Sequence, residues 1–357
     1  MVIDGFAPES IALAARAIQS GELVGLPTET VYGLAADASS DAAVARIFAA
    51  KGRPSEHPLI VHVLDASAVA HFASQVPPFA QALIDAFWPG PLTVILPRRA
   101  GVAAAAAGGQ DSVGLRCPAH PVAQQLLQAL CRADQSAVGQ GRTVVQGLAA
   151  PSANQFGRVS PTTAAHVQDE FGPELLILDG GACHVGIEST IVDCTRGVPV
   201  LLRPGAITPA QLQAVCGQAV LLNEELSKTM QHGPRASGTL ESHYAPRAKV
   251  RLMDAKALQT ALDMLGADLD AAGSRSGSAT ASNQPHIATY ARAILKTRSS
   301  RVLRRRMPDD APATAQQLFA VLRDFDDQGV KLIWIETPPD SPEWAGVRDR
   351  LQRAAAG

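Results

Sequence analysis

A polar stretch containing Gly and Pro, residues 223–246, interrupts an otherwise regular succession of short apolar runs and helical patterns. Such a break reads as a linker between folded parts. The chain has 357 residues, more than one hydrophobic core usually serves, so two domains are expected, at 1–222 and 247–357. Before the break, helices are predicted at 8–20, 41–50, 78–87, 120–130, 163–171 and 209–215, with Ser160 or Thr162 as the cap of the fifth. They alternate with apolar strands at 23–26, 58–64, 92–96, 112–117, 175–179, 191–193 and 199–202. After the break, strands at 249–253, 287–290 and 332–335 alternate with helices at 255–265, 313–324 and 344–352. Interleaving of this kind predicts α/β layers in both parts. Residues 132–146 read as a polar insertion, and 268–284, dominated by Ala, Gly and Ser, as a loop.

Composition removes several classes of function. A net charge of -2 argues against a broad basic surface for nucleic acid, while leaving room for a local anion site. Lys296 and the arginines Arg298, Arg301, Arg304, Arg305 and Arg306 are read as a solvated helix face, with weak RNA contact as the alternative. The five cysteines have no C-x-x-C spacing and an odd number, which fits reduced, packing thiols in a cytoplasmic protein. The first 21 residues carry Asp4 and Glu9 without a continuous apolar run, unlike a signal peptide or anchor. No segment approaches membrane-spanning length.

Chemistry concentrates at a few places in the first part. Lys51-Gly52-Arg53-Pro54 sets two cations at i and i+2, and Pro54 holds Arg53 extended, so the pair can converge on one anion. The bland reading is a basic turn with Gly52 ending the preceding helix. Ser152 and Asn154, in Pro151-Ser152-Ala153-Asn154, repeat the same spacing. No G-x-S-x-G elbow surrounds Ser152 and Asn154 is no base, so the pair suits donation to phosphate oxygens or metal-bound water, not nucleophilic attack. Strand alternation puts Ser112, Gly114 and Arg116 on one face, where an arginine beside a glycine leaves room for a bidentate anion or a structural ion pair. His62 shares its strand face with Ile60 and Leu64 and reads by itself as a neutral core residue. Thr28 and Thr30 lie in a polar turn, 27–33, directly after a buried strand. Loops so placed carry function in α/β proteins, although threonines there often bond only their own backbone. Arg203, followed by Pro204, repeats the arrangement of Arg53. No G-x-x-x-x-G-K-[ST] or G-x-G-x-x-G loop occurs, so a nucleotide would need dispersed cations and hydroxyls.

Taken together, Pro27-Thr-Glu-Thr-Val-Tyr-Gly-Leu34, Lys51-Gly-Arg-Pro54, Pro58-Leu-Ile-Val-His-Val63, Pro151-Ser-Ala-Asn154, Ser189-Thr-Ile-Val-Asp193 and Arg203-Pro-Gly205 resemble the threonylcarbamoyl-AMP synthase family, in its order, over about two-thirds of the chain. The resemblance implies a twisted, mixed-sheet α/β catalytic domain of the YrdC type with a large cleft, then a smaller Rossmann-like α/β domain. It also implies condensation of L-threonine, bicarbonate and ATP, with Mg²⁺, to threonylcarbamoyl-AMP and pyrophosphate. A downstream transferase would move the product's threonylcarbamoyl group to tRNA. By position, Lys51, Arg53, Ser152 and Asn154 match the family's catalytic tetrad. Thr28, His62, Arg116 and Ser189 match positions around threonine, and Ser55, Ser112, Ser160, Arg203 and Tyr244 fall on the nucleotide side together with Lys51, Ser152 and Asn154. No resident metal site is implied.

The longer members carry a linker ending in a His-Tyr-small-Pro motif that is thought to lie over the cleft as a water-excluding lid. This chain has Ala236-Ser237-Gly238-Thr239 where many have Ser-Pro-Gly-Met, so only Gly238, His243, Tyr244 and Pro246 carry over. Two other readings compete. One is an RNA-binding or ribosome-associated module, which would need a continuous basic surface. The other is a relative of the same fold that uses a different carbamoyl substrate.

Overall fold

The computed structural model describes residues 1–131, 144–226, 233–238, 243–275 and 286–357. Most of the insertion read at 132–146, and residues 276–284 of the Ala/Gly/Ser stretch, lie outside the described residues. The chain divides into two units, one of Met1–Phe156 and Ser160–Thr239, the other of Gly157–Val159 and Leu240–Gly357. The division falls inside the expected linker, with 233–238 in the first unit and His243 onward in the second.

In the first unit the strands are β1 (Val2–Asp4), β2 (Val24–Leu26), β3 (Gly33–Asp37), β4 (Ile60–His62), β5 (Leu92–Pro97), β6 (Ser112–Arg116), β7 (Leu148–Ala149), β8 (Leu176–Asp179), β9 (Thr190–Asp193), β10 (Val200–Arg203) and β11 (Leu221–Leu222). They form a mixed sheet in the order β1-β8-β2-β3-β7-β4-β6-β5-β9-β10-β11. The helices are α1 (Pro8–Gln19), α2 (Asp41–Lys51), α3 (Val69–Phe72), α4 (Pro78–Phe87), α5 (Pro121–Cys131), α6 (Ala164–Phe171) and α7 (Pro209–Cys216).

The apolar stripe of α1, Ile11, Ala14, Ala15 and Ile18, is buried with Leu126, Leu127 and Leu130 of α5. Val44 and Ile47 of α2, Phe72 of α3, Leu83 of α4 and Leu212 of α7 belong to a second apolar cluster, which takes Val61, Val94 and Leu115 from the middle strands. Because side chains alternate along a strand, these three commit one face of β4, β5 and β6 to the core. Ile60, His62, Thr93, Ile95, Ser112, Gly114 and Arg116 fall to the opposite face, where the site is built.

Two local expectations are revised. β3 was not foreseen, because Gly33-Leu-Ala-Ala-Asp37 has no β-branched residue; its strand state comes from pairing on both sides, with β2 and β7. α6 is capped by Thr163, whose side chain accepts from the His166 amide, and not by Ser160 or Thr162.

The second unit contains β12 (Lys249–Met253), α8 (Ala255–Arg275), β13 (Ile287–Ala291), β14 (Val302–Arg306), α9 (Ala311–Asp327), β15 (Leu332–Glu336) and α10 (Ala345–Ala355). Its sheet is parallel throughout, in the order β12-β15-β13-β14. This is the small α/β layer that the alternation of elements predicts. Leu258 and Leu262 of α8 pack with Ile287, Ala291 and Trp334. The helix continues through 268–275, where a loop was expected, so the Ala-rich part of that stretch obeys helix propensity.

The arginine run is also corrected. Arg304, Arg305 and Arg306 lie on the edge strand β14 and are exposed. Arg305 pairs with Asp324 at 2.8 Å and Arg306 with Asp309 at 3.0 Å. Charged side chains on an edge discourage further strand pairing.

Candidate functional site

The Lys51–Arg53 pair is formed by a helix end. Ser40 caps α2 at its start, and Gly52 closes it in the left-handed conformation at φ +59°, which a side chain would disfavour. Lys51 is thus the last helical residue and not part of an extended pair, while Arg53 begins the following turn. Both are buried, Lys51 at 2% exposure and Arg53 at 9%. Lys51 Nζ donates to the Ser152 carbonyl at 2.6 Å and to the Asn154 carbonyl. The Phe156 amide donates to Lys51 O at 3.0 Å, and the Arg53 guanidinium lies 5.8 Å from the centre of the Phe156 ring. The two motifs foreseen separately are therefore joined, Lys51 to the backbone of Ser152 and Asn154, and Arg53 to the segment just beyond. Burial, reinforced by the Arg53 charge, lowers the Lys51 pKa to about 7.

The 151–154 segment is held against β3. Leu34 N donates to Pro151 O at 2.8 Å, Ala153 N to Tyr32 O at 2.8 Å, and Ser152 bridges Gly33. Ser160 Oγ donates to the Glu188 carboxylate. Arg203, at the end of β10, uses Nε and one terminal nitrogen on the carbonyl and hydroxyl of Ser189, at 3.0 and 3.1 Å. Ser189 Oγ lies 2.7 Å from Thr93 Oγ1, and Arg203 also donates to the Ser237 carbonyl at 2.9 Å. Ser237 Oγ donates to Pro58 O at 2.7 Å and accepts from Arg53 at 3.2 Å. One residue of the former linker thus touches both Arg53 and Arg203.

A groove runs beside these groups, walled by Ile60, Ile95 and Ile191, floored by Gly114, and edged by Thr93, Gln110, Ser112 and residues 235–237. A methyl on Gly114 would approach Thr93 Cγ2 at 3.5 Å and so stand in the floor. β4 and β6 run parallel with Ile60 beside Gly114 and His62 beside Arg116. His62 and Arg116 therefore continue the groove floor one side-chain repeat along the strands. Burial, and then the Arg116 charge, bring the His62 pKa down to about 3, so its ring is neutral. Its Nδ1 is buried and meets no hydrogen-bond partner among the described residues.

Arg116 pairs with Glu29 at 2.7 Å and donates Nε to Gly90 O at 3.3 Å, so the structural ion pair considered for it exists. Thr28 keeps its hydroxyl within its own turn, donating to Val31 O at 2.6 Å and accepting from the Thr30 and Val31 amides. Ser55 is exposed on the loop after Arg53. Tyr244 belongs to the second unit, where it adopts φ +60°, is 1% exposed, stacks on Phe319 at 5.5 Å and lies 5.4 Å from the Arg350 guanidinium. Of the remaining foreseen residues, Ser112 edges the groove, His62 and Arg116 continue its floor, Arg53 and Arg203 meet it through Ser237 and Ser189 through Thr93, while Lys51 is joined to Ser152 and Asn154, and Ser160 to Glu188. Glu29, Thr93, Glu188 and Ser237 join them unforeseen. Of these only Thr93 left a usable signal, as a hydroxyl within an apolar strand.

A family model described as telomere recombination matches residues 16–205, and one described as threonylcarbamoyl-AMP synthase, C-terminal domain, matches 207–356. The chain is 34% identical to the threonylcarbamoyl-AMP synthase of Pyrococcus abyssi over 97% of its own length and 94% of that protein. It is 35% identical to that of Bacillus subtilis over 97% and 93%. Its structure resembles that of Pyrococcus abyssi Sua5 complexed with L-threonine, with a TM-score of 0.80 and 33% identity, covering 99% of this chain and 97% of that one. Motifs, fold and full-length similarity converge: the chain belongs to the threonylcarbamoyl-AMP synthase family.

Proposed function

We propose that this chain is a nucleotidyltransferase that condenses L-threonine, bicarbonate and ATP to threonylcarbamoyl-AMP, releasing pyrophosphate, and so supplies a downstream tRNA-modifying transferase in the cytoplasm. The observation that carries this reading is the continuous floor of β4 and β6, with an apolar groove at Ile60 and Gly114, Arg116 and neutral His62 one repeat further, and Arg53 and Arg203 bridged by Ser237 beside it. Such a floor suits a base at one end and an amino-acid carboxylate at the other, with phosphates beside the cations. Ser112 borders the base, while Ser189 holds Arg203.

In the reaction the carbamate oxygen of N-carboxy-threonine attacks the α-phosphorus of ATP and the bond to pyrophosphate breaks. No covalent enzyme intermediate is required, so the chain contributes position, charge and exclusion of water. Lys51 and Arg53 meet charge that moves onto the leaving pyrophosphate. Mg²⁺ enters as the metal of the ATP substrate. Among the described residues no cluster of His, Cys, Asp and Glu would hold a metal, and the oxygens of Ser152 and Asn154 suit its water shell.

The test is pyrophosphate release by the purified protein with MgATP. Release should require threonine and bicarbonate together, with little from ATP alone. Equal release when either co-substrate is rigorously omitted would contradict the reading and favour a simple ATPase.

A further inference from the structure

The turn 27–33 spends both of its threonines on itself. Thr28 Oγ1 bonds Val31 O and the Thr30 and Val31 amides, and Thr30 Oγ1 lies 2.9 Å from it. Between them Glu29 reaches out of the turn, as Tyr32 does towards Gly180 and Gly181. This carboxylate is almost wholly buried, with one oxygen 2.7 Å from an Arg116 terminal nitrogen and the other accepting from the Ala119 amide at 3.0 Å. Its backbone is fixed as well, since the Val185 amide donates to Glu29 O at 2.8 Å and the Gly186 amide to Thr30 O at 3.1 Å.

Arg116 is therefore gripped along one side of its fork. Nε is bound to Gly90 O and NH2 to Glu29, while NH1 makes no hydrogen bond among the described residues. A guanidinium is planar and rigid, so two bound nitrogens set the direction of the third. Its side chain is 4% exposed, and register places it beside neutral His62 at the end of the groove floor.

We propose that Glu29 is a positioning residue for the amino-acid subsite. It fixes the Arg116 guanidinium so that the remaining edge is set to receive the substrate carboxylate. The inference rests on the functional reading above, which puts threonine at Arg116. Glu29 does not touch the substrate; it acts through Arg116 alone. The bond to the Ala119 amide matters equally, because it stops the carboxylate from following Arg116 and makes the pair a fixed mount.

Two substitutions separate position from charge. Glu29→Gln keeps the shape but has one acceptor oxygen where two are used, and Glu29→Asp keeps the charge but is one methylene too short to reach both partners. Steady-state pyrophosphate release by the full chain, with circular dichroism to confirm folding, should show both variants raising the threonine KM by about tenfold or more while the ATP KM stays near wild type. A merely structural role would lower the unfolding temperature and the active fraction without splitting the two KM values. Unchanged threonine KM in the folded Asp variant overturns the proposal. So does a Gln variant that binds threonine more tightly while Asp behaves as wild type, since that pattern marks Glu29 as a brake on the Arg116 charge. If wild-type release shows no dependence on threonine, the functional reading itself falls, and the subsite with it.

Discussion

At Lys51 a buried ammonium is set against two backbone carbonyls, and its lowered pKa, about 7, has a measurable consequence. Phosphates bound beside it favour the charged form, so binding of ATP should draw a proton onto Lys51. At pH 8 the free protein would hold that proton only in part, so binding should be accompanied by net proton uptake. Calorimetry in buffers of different ionisation enthalpy reads this directly, with Lys51→Met as the reference. Equal proton uptake in the two proteins would show that Lys51 does not meet the phosphates. The sign also bears on stability. A lysine whose folded pKa lies below its unfolded value binds fewer protons when folded, so its contribution to stability rises between about pH 7 and 10.5. The cations were legible in the sequence because fixed charges beside Pro and Gly stand out. Glu29 was not, because two threonines flanked it, and a turn has no periodicity to say which of three polar residues points inward.

The elements that were hardest to read are those whose state is imposed from outside. β3 is an Ala-rich segment made into a strand by two neighbours, and β14 is an arginine-rich segment made into an edge by β13. Local composition points away from both. By contrast α1, α2, α4, α5 and β6 were readable from caps and periodicity, since their own residues decide them. Residues 233–238 read as linker by composition and as a cover for the cleft only through the family resemblance; in the structure 235–237 close one side of the groove. Arg235 N and O bond the Gln110 side chain at 2.7 and 3.3 Å, and Ser237 bonds Pro58, Arg53 and Arg203. The Ser237 hydroxyl contributes about 1 kcal/mol to holding this strap, a typical net value for a hydrogen bond. Ser237→Ala should therefore speed amide hydrogen exchange across 236–238 by about fivefold while the rest of the first unit is unchanged. Exchange at the wild-type rate would show that the Arg235 end alone secures the segment.

Over the whole chain, the two-part organisation follows from length and from the Gly/Pro break, and each unit has its own α/β core. The exact division was not legible, since residues 233–238 join the first unit through side-chain bonds that no composition rule reveals. The proposed function is that the cleft of the first unit joins three small molecules into one adenylate. Its most direct test is to incubate the full chain with MgATP, threonine and ¹³C-bicarbonate and analyse the products by mass spectrometry. The expected product is threonylcarbamoyl-AMP carrying one ¹³C, matched by one pyrophosphate released. An adenylate without the label, or ATP consumed with no threonine-containing adenylate formed, would contradict it.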